Sequence, residues 1–241
     1  MIRRRREIGL DGIGGSSGSI TPYGRKSYLF NSVTSDVLKT GVTGQGGSAI
    51  SIAFNINPTV LNATNRIIDK YSTVGTGRAH RLYCNSNGDF SFQISDDGSS
   101  NEFFTFTTDD ISVGTPSSVV LTFKNGDSNL YIDASLSESH TYTMTSIFNN
   151  STEIYICDGK QSAPCGAYIW DARLFNKELT TGEVEAFHNG AYVTGALAWY
   201  KTTEWGSDTS ALDSSGNGND GVITADNLVA FRHIDSFGYK A

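Results

Sequence analysis

Hydrophobic and polar residues alternate along most of this chain. In 49–57, Ile50, Ile52, Phe54 and Ile56 fall on one face, and Ala49, Ser51, Ala53 and Asn55 on the other. A period of two marks extended backbone, whose successive side chains point to opposite sides. The stretch therefore predicts a strand with one buried side and one wet or lightly packed side. In 89–95, Phe90, Phe92 and Ile94 oppose Asp89, Ser91, Gln93 and Ser95. The pattern returns at Phe104 and Phe106, at Val119, Leu121 and Phe123, at Leu130 and Ile132, and at Ile154 and Ile156.

Turn signals bound these runs: Asn87-Gly88, Asp97-Gly98, Asn125-Gly126 and Asp158-Gly159. Such dipeptides tolerate the positive φ that tight hairpins require. Short strands at this spacing, each with one apolar face, predict two antiparallel sheets packed face to face, an all-β sandwich. One segment departs. In 180–189, Val184 and Phe187 are three apart, Thr180 or Thr181 is placed to cap, Glu183 lies in the first turn, and Asn189-Gly190 stops the run. These features predict a single short helix.

Composition supports strands over helices. Hydrophobic residues are 38% of the 241, charged residues only 18% and aromatics 11%, so Ser, Thr, Asn and Gly fill the polar positions while the aromatics supply a core. The chain carries net charge −7, unevenly spread. Residues 1–26 hold Arg3, Arg4, Arg5, Arg6, Arg25 and Lys26 against Glu7 and Asp11, net +4, which leaves −11 on the rest. An acidic body argues against nucleic-acid binding except through the arm. Residues 12–19 are a Gly/Ser linker. We therefore expect a basic arm and linker over 1–24 and one folded domain over 25–241. The N-terminus has no apolar stretch after its arginines, so no signal peptide is expected, and no run is long enough to insert in a membrane. Three cysteines, Cys84, Cys157 and Cys165, are no disulfide framework. Cys157 and Cys165 flank one loop, so a bridge there stays open beside three reduced thiols.

Several motifs occur in a consistent order. The stretch 169–184 (IWDARLFNKELTTGEV) resembles the closing strand and helix of laminin-G-like domains, and Asn129-Leu130-Tyr131-Ile132-Asp133-Ala134 resembles their L-Y-I-D-G strand, with Ala134 in place of glycine. Glu153-Ile154-Tyr155-Ile156-Cys157 resembles their I-x-I-G strand, with Cys157 in place of glycine, and 211–221 (ALDSSGNGNDG) resembles their D-S-S-G-N-G loop. The resemblance implies a laminin-G-like, concanavalin A-like two-sheet jelly roll. In many relatives that loop precedes the sandwich; here it follows the helix, and too few residues come after it to bury a second core. A C-terminal strand pair that closes one sandwich is expected.

The resemblance implies sugar binding, an analogy of fold, and calcium at a sandwich rim. Asp213, Asn217, Asn219 and Asp220 supply the oxygen ligands that calcium prefers; the other reading is a turn whose Asn and Asp side chains bond their own backbone, and no other cofactor is implied. For sugar, Trp205 in a polar stretch is the exposed aromatic candidate, with Asn217 and Asp220, while Trp170 and Trp199 read as core. Paired catalytic carboxylates need one strand. Glu183 and Glu185 fall on the predicted helix, where their side chains diverge by about 100°, and no enzyme is expected. A lectin-like fold behind a basic arm suits a bacteriophage virion surface protein made in the host cytoplasm, as a fibre, decoration or tail-associated domain. Arg3, Arg4, Arg5 and Arg6 would anchor it to other virion proteins, and self-association is open. The alternatives are a capsid or tail cement that binds no sugar, and a glycoside-acting enzyme.

Overall fold

A computed structural model describes residues 28–30, 37–72, 75–108, 110–157, 165–207 and 210–224, with the side chains of 28, 29 and 202–207 outside that description. The strands are β1 (Tyr28–Phe30), β2 (Val37–Lys39), β3 (Ala49–Pro58), β4 (Asn65–Tyr71), β5 (Arg78–Cys84), β6 (Phe90–Ile94), β7 (Glu102–Phe106) and β8 (Ser117–Lys124). They continue with β9 (Asp127–Ile132), β10 (Ser135–Thr141), β11 (Tyr155–Ile156), β12 (Ala167–Phe175), β13 (Ala196–Ser207), β14 (Ser210–Asp213) and β15 (Gly221–Thr224). One helix, α1 (Thr181–His188), lies between β12 and β13. No helix among the described residues is long and apolar enough to cross a membrane.

The alternation explains the layers. Pairing is antiparallel along β10-β9-β8-β3-β12-β13, then through β14 and β15 into β2-β11-β4-β5-β6-β7, with β1 also on β12. The path folds over so that the inner faces of its two halves share one core. Ile52, Phe54, Leu121, Phe123 and Leu174 of the first sheet cluster with Ile68, Leu82, Phe90, Phe92 and Ile94 of the second, and edge-on rings join them at Phe54–Phe90 and Phe92–Phe123. The sandwich is the jelly-roll type that the sequence predicts. At the far edges Phe104 of β7 stacks on His140 of β10, centroids 3.8 Å apart. The C-terminal pair closes the sandwich as expected: β14 bonds β13, and β15 bonds β2.

The outer side of β3 is not wet. Ser51 and Ala53 are fully buried and Asn55 is nearly so, because α1 and its flanks cover this face. Ala53, Val120, Tyr131, Phe175, Leu179, Val184, Phe187 and Val193 form a second core there. The small side chains that read as lightly packed leave room for a helix. Ser51 donates its hydroxyl to Lys177 O (2.8 Å) and accepts Leu179 N–H (3.0 Å), fixing the lead into α1. The helix carries the predicted cap: Thr180 Oγ1 accepts Glu183 N–H, Glu183 accepts Thr180 N–H, and Gly190 follows at φ 73°.

Two local features follow from backbone sign. The two-residue link between β8 and β9 has Asn125 at φ 52° and Gly126 at φ 99°, the primed turn that matches strand twist. Ala134 and Cys157, which replace the glycines of the motif, also take positive φ, 65° and 57°.

Candidate functional site

The 213–221 loop is a latch that bonds itself. Asp213 accepts the N–H groups of Trp199 (2.9 Å), Ser215 (2.8 Å) and Asn219 (2.9 Å) and the Ser215 hydroxyl (2.8 Å), while its own N–H goes to Asp220 Oδ1 (2.8 Å). Burial pushes the Asp213 carboxyl up, but these donors outweigh it and hold the group below the usual range. Asn217 and Asn219 give their amides to the carbonyls of Ala196 and Leu197. The structure thus brings Asp213, Asn217, Asn219 and Asp220 together, with Asp213, Asn217 and Asn219 engaging backbone of the loop and of β13. Among the described residues no group of three or more His, Cys, Asp or Glu side chains is arranged to hold a metal.

The other predicted positions separate. The side chain of Trp205 and all of Arg3, Arg4, Arg5 and Arg6 lie outside the described residues. Trp170 is buried as expected and Trp199 only half so, and β12 has a bulge at Asp171 (φ 55°). Trp170 pairs Asn55 and Arg173 pairs Ala53, so both lie on the outer face, while Ala172 and Leu174 face the core. The extra residue reverses the alternation. Arg173, 1% exposed, forms a bidentate pair with Asp171 at 2.9 Å and lies 4.3 Å from the ring centre of Trp199. Trp199 is therefore a half-exposed cover on this pair, not a core residue, with exposed Tyr192 beside it (5.5 Å). Cys84, Cys157 and Cys165 are buried and unbridged. Glu183 is occupied by the helix cap and by Lys177.

A different surface gathers recognition chemistry: the outer face of the second sheet. Strand register lines up Phe103, Gln93, Arg81, Asp69, Tyr155 and Lys39 in one row across β7, β6, β5, β4, β11 and β2. The next row holds Thr105, Ser91 and Tyr83. Helix α1 covers the opposite sheet, and no helix lies on this face among the described residues. Arg81 is its centre. Its guanidinium carbon lies 4.3 Å from the Tyr71 ring centre and 6.0 Å from that of Tyr83, and its Nε donates to Gln93 Oε1. The Arg78 guanidinium carbon lies 5.9 Å from the Tyr71 ring centre and the group donates to Ser99 O and Asn101 Oδ1, and Asn101 Oδ1 also accepts the Tyr71 hydroxyl (3.3 Å). Phe103 is 61% exposed. Arg81 and Tyr83 are half-buried, and Tyr71, Gln93, Ser91 and Asp69 are buried among them, so the face offers the rings of Phe103 and Tyr83 beside the Arg81 guanidinium.

Charge explains why sequence patterning missed β4 and β5. On the inner side of the same sheet, Lys70 and His80 are a cross-strand pair in the core. Lys70 Nζ donates to the carbonyls of Gln45 (2.9 Å) and Asn150 (3.0 Å) and to Asn149 Oδ1 (3.4 Å), and burial lowers its pKa to about 8. Among the described residues His80 has no hydrogen-bond partner on either ring nitrogen. Burial first, and the Lys70 charge second, lower its pKa to about 3.

Comparison with known proteins places the architecture. Residues 32–185 match a laminin-G-type family model described as the concanavalin A-like lectin/glucanases superfamily. No curated protein matches the chain. Among solved structures it is similar to a candidate carbohydrate-binding protein of Bacteroides ovatus, with TM-score 0.64 and 16% identity over 86% of this chain and 60% of that one. A heptameric SAP-like pentraxin of Limulus polyphemus gives TM-score 0.54 and 15% identity over 83% of this chain and 94% of that one. The binding domain of botulinum neurotoxin serotype G gives TM-score 0.49 and 20% identity over 60% of this chain and 37% of that one.

Proposed function

Since the chain belongs to the concanavalin A-like lectin/glucanases superfamily, we propose that it is a lectin-like, non-catalytic module whose glycan site is the outer face of the second sheet. The observation that carries this is the cross-strand pattern itself, Arg81 and Gln93 between Tyr71 and Tyr83, on a face that carries no helix among the described residues. Sugars present C–H faces that pack on aromatic rings and hydroxyls that need directed partners. Few surfaces supply both at strand spacing. Hydrolysis would need two carboxylates facing one bond. On this face Asp69 is held by Arg66 at 3.6 Å and Glu153 by Lys39, so neither is placed as an acid beside a nucleophile.

The acidic body behind a basic arm fits display on a larger particle, with Arg3, Arg4, Arg5 and Arg6 as the anchor; a virion surface is the setting we propose. A glycan array of the full chain against the Tyr83→Ala, Gln93→Ala double variant tests the binding reading. The expected result is defined glycan signals, reduced at least tenfold in the variant at unchanged melting temperature. Absence of signal from the folded wild type would favour a cement role instead.

A further inference from the structure

We infer that this face selects glycans that carry a carboxylate, with the terminal edge of Arg81 as the fork that receives it and Arg78 as the second cation; the inference rests on the glycan-binding reading above. Most of the other cations among the described residues are neutralised in place. Lys39, Arg66, Lys124, Arg173 and Lys177 each have a carboxylate within 4.0 Å. Arg78 and Arg81 have none among the described residues, although they are neighbours on one strand. A protein of net charge −7 that leaves two arginines beside one ring, Tyr71, without an acid among the described residues keeps a local positive potential where a ligand is expected to dock.

The geometry of Arg81 specifies the anion. Its plane is set by Tyr71 on one side and Tyr83 nearby, and its Nε edge is held by Gln93. Its two terminal nitrogens make no hydrogen bond among the described residues, so the edge left over is the one that grips a carboxylate with two parallel bonds. Because the plane is already fixed, little side-chain entropy is lost when the acid arrives. Tyr83, half-buried one strand row away, is placed for the sugar ring that carries the acid. A nucleic acid fits this face poorly, since its affinity depends on several cations neutralising successive phosphates, and the other described cations of this face, Lys39 and Arg66, are paired.

The test is affinity electrophoresis of the full chain in gels containing polygalacturonate, its methyl ester, polysialic acid, dextran, dextran sulfate or duplex DNA. At least one carboxylate polymer should retard the protein tenfold or more above methyl ester and dextran. Arg81→Gln, and separately Arg78→Gln, should cut that retardation at least tenfold with the melting temperature unchanged. Equal retardation by polygalacturonate and its ester would overturn the selectivity and leave glycan binding standing. Stronger retardation by dextran sulfate or DNA would replace it with simple charge attraction. No retardation by either carboxylate polymer overturns the inference; if the glycan array is also blank, the glycan reading falls with it.

Discussion

Replacing His80 by phenylalanine should make the protein less sensitive to acid. His80 is fully buried, lies edge-on to Phe92 at 6.4 Å, and has no hydrogen-bond partner on either nitrogen among the described residues. Its pKa falls from 6.5 to about 3 on folding, from burial and then from the Lys70 charge. The unfolded chain therefore binds more protons between those values, so stability is fully present above pH 6.5 and is lost as pH falls toward 3. At about 1.4 kcal/mol per pH unit, acidification from pH 7 to 4.5 should cost roughly 2–3 kcal/mol through this one residue. Urea unfolding followed by tryptophan fluorescence at the two pH values, on wild type and His80→Phe, measures it. The variant should lose roughly 2–3 kcal/mol less than wild type on acidification, and should be no less stable at pH 7, since it removes two buried unpaired nitrogens. His80→Leu guards against an overpacked ring. If both variants keep the wild-type dependence on pH, His80 does not enter the folded core as a neutral, unbonded ring, and the reasoning fails.

Three further outcomes follow from local geometry. Ala134→Gly should raise stability by about 1 kcal/mol, because alanine at φ 65° is strained where glycine is not; a loss on thermal unfolding would contradict the turn. Ser51→Asp should cost about 3 kcal/mol or more by placing a carboxylate against the Lys177 carbonyl in a dry contact, and a mild effect in urea titration would contradict the covered face. Asp213→Ala should cost about 3 kcal/mol by freeing three backbone donors, equally with and without EDTA; an EDTA-induced fall in melting temperature of the wild type, abolished in the variant, would show instead that the loop holds calcium.

The strands with apolar alternation were legible: Ile50 to Ile56, Phe90 to Ile94 and Val119 to Phe123 all face the shared core. So was α1, whose Thr180 and Glu183 spell out the capping box. The glycine-rich loop was legible as a self-bonded turn because its carboxylate and amides match backbone groups at short range. Strands β4 and β5 were not legible. Lys70 and His80 occupy inward positions there, so the polar pattern that marks a solvent face marked the wrong one. Trp170 was legible as buried, but the side on which it packs was not, because one extra residue at Asp171 reverses the alternation between Trp170 and Leu174 and nothing in I-W-D-A-R announces a bulge. The candidate site was hidden for a related reason. Its residues come from strands far apart in sequence and meet only through register, and Arg81, Gln93 and Phe103 separately look like ordinary surface.

The central claim is that glycans dock on the outer face of β4 to β7 and not on the 213–221 loop. Nuclear magnetic resonance titration of the full chain with an oligosaccharide retained on the array tests it most directly. The account predicts shifts of the Arg81 Nε–H, the Gln93 side-chain amide and the backbone amides of Tyr83 and Phe103, with the signals of Asp213 to Gly221 and of the Trp199 indole unmoved. Saturable shifts confined to the loop or to Trp199, with Arg81 and Gln93 unchanged, would contradict it.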